Sequence, residues 1–250
     1  MKAIISLVIP AYNEEKYIVP TLESINKAIK KFKEKYYKNI EVIVVDNDSN
    51  DKTAEIASSY GCKVVKFKKH NIAAVRNAGA KHAIGKYIAF VDADRSIIHE
   101  NTFNDIYEKL QNPKIYGGGS KLIPDKFNSF FGFFGFGVID FLLYHIRIIF
   151  NGIGTGLIYL RKNDFDKLGG FDESYWALED YDFVLRMKEC SKQKKQKTKQ
   201  LKKPIIVCSR KNCKINLKNM FSLYIKLIKK DGCKDKDKVS GYLYDVENLR

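Results

Sequence analysis

Two hundred and fifty residues at 28.8 kDa, 45% of them apolar, can fill the core of one large α/β domain or two small ones, which excludes wholesale disorder. The formal charge of +16 is uneven: residues 1–180 hold 25 basic against 22 acidic side chains (net +3), and residues 181–250 hold 20 against 7 (net +13). A nearly neutral body with a basic C-terminal third points to an anionic partner there: nucleic acid, a membrane face or a phosphorylated substrate.

In chain order, Ile4–Ile9 reads as a buried strand and Glu14–Lys35 as a long helix with one apolar face. Ile40–Val45 is a second strand, Lys52–Tyr60 a short helix opened by Asn50 and Asp51, and Val64–Phe67 a third strand. Asn71–Ile84 is a helix ended by Gly85, and Tyr87–Val91 a fourth strand. Strand and helix alternating at this spacing predict right-handed crossovers and a mostly parallel sheet. Beyond it come a helix at Asn101–Leu110, a break at Gly117–Gly119, an aromatic stretch at Phe127–Phe150, a strand at Thr155–Leu160 and a helix at Asp180–Lys188. Lys188–Lys203, with eight lysines and one acid, reads as a low-complexity excursion before a last strand at Ile205–Cys208 and a helix at Leu217–Ile228.

Five cysteines, an odd number without C-x-x-C spacing, argue against a disulfide framework and a structural zinc site and fit a reducing compartment. The run Ala3–Pro10 is too short and too β-branched for a secretion signal. No stretch of 18 uncharged apolar residues predicts a membrane-spanning helix; the nearest, Phe130–Phe150, is interrupted by Asp140, His145 and Arg147.

In parallel sheets ligands sit at the carboxyl ends of strands, which selects Pro10–Glu14, Asp46–Ser49 and Asp92–Asp94. Asp92 and Asp94 flank one residue at a strand end, a spacing that can hold a divalent cation and the diphosphate it carries, or form a plain solvated turn. The polar run Asp46–Asp51 can meet a base or ribose edge, or cap the helix that follows. Glu179 and Asp180 open a helix, where acids suit the dipole and where a carboxylate can also act as general base. No G-x-x-x-x-G-K-[ST] and no G-x-G-x-x-G follows the first strand, so those phosphate cradles are excluded.

The ordered series SLVIPAYNEE (6–15), VIVVDNDSNDKT (42–53), VRNAGAKHAIGKYIAFVDADRSI (75–97), NGIGTGLIYLRKNDFDKLGGFDES (151–174) and ALEDYDFVLRM (177–187) resembles glycosyltransferase family 2, over roughly residues 4–210 with Ser209-Arg210 included. The resemblance implies a GT-A fold, an α/β architecture with a Rossmann-like, mostly parallel sheet flanked by helices and acceptor-side helical and C-terminal elements. It implies a nucleotide-binding half at 1–115, an acceptor-side half at 116–210 containing the basic excursion 188–203, and a basic helical extension at 211–250.

Residue by residue, the resemblance implies that Pro10, Ala11, Tyr12 and Glu14 line the nucleoside pocket. Asp46 and Asn47 match an Asp-Asp pair that meets a pyrimidine ring; an amide at Asn47 can accept from ring N3–H and donate to O4. Asp48 stands where glycine is frequent. Asn71, Arg76 and Asn77 fall in the helix that borders the diphosphate, with Arg76 a charge partner for Asp92 or for the donor. Asp92, Ala93 and Asp94 match the D-x-D motif, with Mg²⁺ or Mn²⁺ on Asp94 and Asp92 near ribose or metal. Gly154, Gly156, Gly170, Trp176 and Glu179 fall on the sugar and acceptor side, and Asp180 matches the catalytic base of inverting members.

The implied partners are a UDP-, GDP- or dTDP-sugar donor and a glycan or lipid-linked hydroxyl acceptor. The Phe-rich segment 127–150 reads either as a hydrophobic helix packed against the sheet or as a piece lying in a membrane interface; in the second reading it and the lysines of 188–203 supply two signals for peripheral contact with the inner face of a cell membrane, in a cytoplasmic enzyme. A polyprenyl-phosphate hexosyltransferase shares the fold but calls for an Arg-rich acceptor motif in place of the Gly169–Asp180 pattern. Nucleic-acid binding requires aromatic or motif-organised basic residues, and Lys188–Lys203 contains no aromatic residue.

Overall fold

The structure, a computed structural model, describes residues 2–94, 96–124, 156–207 and 234. The elements in chain order are β1 (Ala3–Ala11), α1 (Ile18–Tyr36), β2 (Asn39–Asp46), α2 (Thr53–Ser59), β3 (Lys63–Lys66), α3 (Ile72–Lys81), β4 (Tyr87–Val91), α4 (Thr102–Gln111), β5 (Ile115–Gly119) and β6 (Leu122–Pro124). After the undescribed stretch come β7 (Leu157–Arg161), α5 (Lys162–Lys167), α6 (Glu179–Gln193), β8 (Lys197–Gln200) and β9 (Ile205–Val207).

Seven strands form one sheet in the order β3-β2-β1-β4-β7-β5-β8, and β6 pairs with β9 in a separate two-stranded sheet. The first four strands are mutually parallel, β7 runs antiparallel to both β4 and β5, and β8 is parallel to β5. β1 and β4 are buried on both faces, which is why they read in sequence as continuous apolar runs. One face packs against α1, α2 and α4 through Leu22, Ile25, Phe32, Ala57, Phe103 and Ile106. The other packs against α3, α5 and α6 through Ala73, Val75, Phe165, Phe183 and Met187. The expected mostly parallel α/β architecture is therefore present.

Three readings are corrected. The glycine run 117–119 is not a break but the end of β5, paired with both β7 and β8. A Cβ on Gly118 would stand 1.7 Å from the Lys199 carbonyl oxygen, so glycine is what lets β8 approach. Lys188–Lys203 is not a loose excursion: α6 continues to Gln193, and β8 forms the sheet edge, its outward Lys197 and Lys199 blocking further pairing. The first long helix starts at Ile18 rather than Glu14, because Asn13 is left-handed (φ 50°) and residues 14–17 form a turn in which the Tyr17 and Ile18 N–H groups donate to the Glu14 carbonyl. The expected aromatic stretch 127–150, Gly154 and the extension 211–250, apart from Lys234, lie outside the described residues.

Candidate active site

The three selected strand ends converge. Ala11 lies beside Asp46 in the β1–β2 register, and the Asn47 N–H donates to the Ala11 carbonyl at 2.9 Å. The loops after β1 and β2 are stitched side by side: Asn13 N–H donates to Ser49 Oγ, Glu14 N–H to Thr53 Oγ1, Asn50 N–H to Asn13 Oδ1 and Lys52 N–H to Glu15 Oε2. Asp46 is buried and its Oδ1 accepts from the Ser49 N–H at 3.2 Å. Asp48 is left-handed at φ 63°, the conformation that favours glycine at this point of the loop. Asn47 donates both amide hydrogens to backbone, at 2.8 Å to Phe67 and 3.1 Å to Lys69. The donor half of the ring contact expected for Asn47 is thus spent on the fold, and its Oδ1 is what remains to accept from a ring N–H. Tyr12 is exposed at this corner, edge-on to His70 at 5.0 Å between ring centres.

The second corner is built on charge. Pairing between β1 and β4 sets Asp92-Ala93-Asp94 beside the first strand's end. Ala93 is buried, and its carbonyl accepts from the Thr21 hydroxyl of α1 at 3.1 Å, which fixes the turn between the two acids. Arg76 of α3 is buried and forked: one terminal nitrogen donates to Asp92 Oδ1 at 2.8 Å and the other to Glu179 Oε1. Burial lowers the guanidinium pKa, but Asp92, Glu179 and Asp180 together more than offset this and hold it above its ordinary value. Phe171 lies under the guanidinium, 5.4 Å from its ring centre. Of the two roles expected for Arg76, the structure shows the pairing with Asp92, and it adds Glu179.

Asp180 is at the start of α6, whose first turn carries Glu179, Asp180 and Asp182 at the positive end of the helix dipole. The preceding residue, Leu178, is left-handed at φ 60°, which turns the chain sharply into the helix. Asn71 caps α3, its Oδ1 accepting from Ala74 N–H, while its amide donates to the Glu173 and Tyr175 carbonyls. Asn71 therefore contributes by holding the 169–178 loop against α3. Trp176 is half-buried in that loop. Gly170 is left-handed at φ 71°, and a Cβ there would meet Asn77 Oδ1 at 2.6 Å. Gly156 packs against Leu122, a contact of fold rather than of ligand in the described residues.

Asp92 and Asp94 suit a hard divalent cation. They are oxygen donors on either side of a fixed turn, and half the Asp92 side chain is open to solvent. No group of three or more His, Cys, Asp or Glu that could hold a metal ion exists among the described residues; a magnesium-like ion needs only one or two carboxylates when phosphate oxygens complete its shell.

Four further residues organise the site: Asn77, already expected in the helix that borders the diphosphate, and Thr21, Arg186 and Lys69, which carry no local signal in sequence. Thr21 holds Ala93, and Asn77 bonds both the N–H and the carbonyl of Phe171. Arg186 ties α6 to the Leu168 and Gly170 carbonyls and to Asp182. Lys69 pairs with Glu173 at 2.8 Å across the loop. Thr21, Asn77 and Lys69 act across separations of 72, 94 and 104 residues, which no local pattern reveals, and Arg186 reaches back 16 and 18 residues to the loop before its own helix.

The chain matches the family model of glycosyl transferase family 2 over residues 6–159, and that of the N-terminal domain of galactosyltransferase over residues 138–220. It is 31% identical to the amylovoran biosynthesis glycosyltransferase AmsB of Erwinia amylovora over 198 residues, covering 72% of this chain and 62% of AmsB. It spans 36% of the pneumococcal glycosyltransferase GlyG and 11% of the Bacillus subtilis minor teichoic acid biosynthesis protein GgaB, so it corresponds to part of each curated relative. Among solved structures, S. aureus TarS residues 1–349 in complex with UDP-GlcNAc superposes with a TM-score of 0.59 at 22% identity, covering 83% of this chain and 58% of that one. The Mycobacterium tuberculosis glucosyl-3-phosphoglycerate synthase in complex with Mn²⁺, UDP and glucosyl-3-phosphoglycerate gives 0.62 at 16% identity, covering 91% and 77%. At these identities the likeness is one of fold, and that fold is GT-A.

Proposed function

The chain belongs to glycosyl transferase family 2, and we propose that it moves a sugar from a nucleoside diphosphate sugar to a hydroxyl of a glycan or lipid-linked acceptor, inverting the anomeric carbon. The observation that carries this reading is the Arg76 fork. It joins the D-x-D turn at Asp92 to the helix start at Glu179-Asp180, so the donor-diphosphate end and the base end form one charge cluster. The uridine nucleotides bound in TarS and in the mycobacterial synthase support a pyrimidine donor, with UDP-, dTDP- and GDP-sugars the set to test. The AmsB and GgaB relatives support a cell-envelope polysaccharide as the destination.

In this reading Tyr12, Asp46 and Asn47 Oδ1 meet the base, and the paired loops after β1 and β2 hold them in register. Asp94, with Asp92, would hold Mg²⁺ or Mn²⁺, whose Lewis acidity when bound offsets the negative charge that develops on a departing diphosphate. Arg76 shares its charge between Asp92 and Glu179, which keeps these two carboxylates from repelling each other beside Asp180, the proposed base. Asp180 accepts the acceptor's hydroxyl proton as that oxygen bonds to the anomeric carbon from the face opposite the leaving diphosphate. Single displacement of this kind inverts the centre, through an oxocarbenium-like transition state. The 169–178 loop, fixed by Asn71, Asn77 and Arg186, forms the acceptor side together with Trp176.

We assign residues 1–210 to this catalytic unit and 211–250 to a basic extension, and we place the protein on the inner face of a cell membrane. No helix among the described residues is long and apolar enough to cross one. Asp180→Asn tests the chemistry. Donor affinity is expected to stay near wild type while transfer falls by about 10²–10⁴-fold, and NMR of the wild-type product is expected to show the inverted anomer. Wild-type turnover in the variant would remove Asp180 from the base role.

A further inference from the structure

The small β6–β9 sheet carries an apolar row that no core claims. Ile123 and Ile206 are in-register partners, and Ile206 is bridged on its other side by Ile97, whose N–H and carbonyl both bond to it at 2.8 and 3.1 Å. Directly paired residues project from the same face of a sheet, so Ile97, Ile206 and Ile123 stand in one line across three chain segments. On the opposite face Ile205 is buried, and Leu122, although packed against Gly156, keeps 37% of its surface exposed. Ile123 and Ile206 remain 45% and 41% exposed.

The rim of the row is basic. The buried Ser120 hydroxyl lies 3.1 Å from the Lys121 carbonyl and 3.2 Å from that of Lys203, and the Ile205 N–H donates to Lys121. Those contacts set Lys121 and Lys203 side by side at the entry of the two strands, both exposed. Lys202 beside them is 70% exposed, its Nζ 3.8 Å from Glu108. The row also sits at the working end of the main sheet, since Ile97 follows Asp94 by three residues.

We propose that this face rests on an anionic lipid bilayer, with Ile97, Ile123 and Ile206 at the acyl boundary and Lys121, Lys202 and Lys203 among the headgroup phosphates. Apolar side chains ringed by lysines are what an anionic interface rewards twice, by burial and by charge. A second copy of the chain suits the face poorly, because docking two such faces would press lysine rims together. Where it orients the site toward a lipid-borne hydroxyl, the inference rests on the sugar-transfer reading; as a membrane contact it stands apart from it.

Sedimentation of the full chain with phosphatidylcholine vesicles, with and without phosphatidylglycerol, tests the contact. The wild type is expected to pellet with the anionic vesicles and to stay in solution with the neutral ones. Lys121→Ala/Lys203→Ala is expected to weaken partitioning by about 25-fold, from about fivefold per lysine. Ile123→Thr/Ile206→Thr, which keeps the β-branched shape of a strand residue, is expected to weaken it on the order of tenfold. Lys27→Ala/Lys30→Ala on the exposed side of α1 is expected to bind as wild type. The proposal is overturned if the wild type ignores anionic vesicles or if the α1 control loses as much as the rim variant. It is also overturned if the threonine variant partitions unchanged, including the case in which it only melts earlier because the row is covered by the chain itself. Thermal shift by nucleotide sugars, measured without vesicles, reads the donor site separately, so failure of one reading leaves the other visible.

Discussion

Arg76→Met removes a buried cation from between two carboxylates of different exposure. The Glu179 side chain is 8% exposed and that of Arg76 9%, whereas Asp92 is 51% exposed. Asp92 can return to water at little cost, about 0–1 kcal/mol. Glu179 cannot, and breaking a buried pair from one side costs about 3–5 kcal/mol. Loss of the guanidinium over Phe171 adds roughly 0.5–1 kcal/mol, which the apolar methionine stem partly offsets. For a domain of this size each kcal/mol moves the midpoint by about 2–4 °C, so Tm should fall by roughly 6–20 °C. Arg76→Met/Glu179→Met leaves no unpaired buried charge, and should recover to within about 1–2 kcal/mol of wild type. Urea and thermal unfolding of wild type, both single variants and the double variant form the cycle. A single variant costing under about 1 kcal/mol, or a double variant no more stable than Arg76→Met, would refute the fork as the tie between the D-x-D turn and the base helix.

Two other outcomes follow from local geometry. Gly170→Ala forces a left-handed Cβ toward Asn77 Oδ1, while Gly169→Ala has the same backbone cost but open space around it; losses of about 2 and about 1 kcal/mol respectively are expected by urea unfolding, and the reverse order would deny that Asn77 holds the loop. Burial pushes the Cys62 thiol up to about 11, so at pH 8 its alkylation by iodoacetamide, followed by mass spectrometry, should run about a hundredfold slower in the native protein than in urea; equal rates would contradict that burial.

The strands that anchor the site were legible because burial on both faces leaves an unbroken apolar run, as in β1 and β4, and because polar residues end each run where a ligand would sit. Asp92, Asp94 and the Glu179-Asp180 pair could be found from their places at a strand end and a helix start. What joins them could not: the Arg76–Glu179 pair spans 103 residues of sequence. β8 was missed because KTKQ, one threonine among two lysines and a glutamine, carries little strand propensity of its own and is held as a strand by pairing with β5, a case of tertiary context overriding local preference. Asn47 is expected at the ring from its match to the family's Asp-Asp pair and from what an amide can donate and accept. The structure shows its two hydrogens on Phe67 and Lys69, a use visible only once β3 and the loop after it are in place.

The proposed function stands on a nucleoside diphosphate sugar held at Asp92–Asp94 with a divalent ion. Thermal shift with UDP-, dTDP- and GDP-sugars, each in Mn²⁺ and in EDTA, tests it most directly. At a donor concentration of about 100 Kd, linkage predicts about 2.7 kcal/mol of stabilisation, or a rise of roughly 5–11 °C, in Mn²⁺ and not in EDTA, and lost in Asp94→Ala. No shift with any of these donors, or one as large in EDTA or in the variant, would contradict the claim.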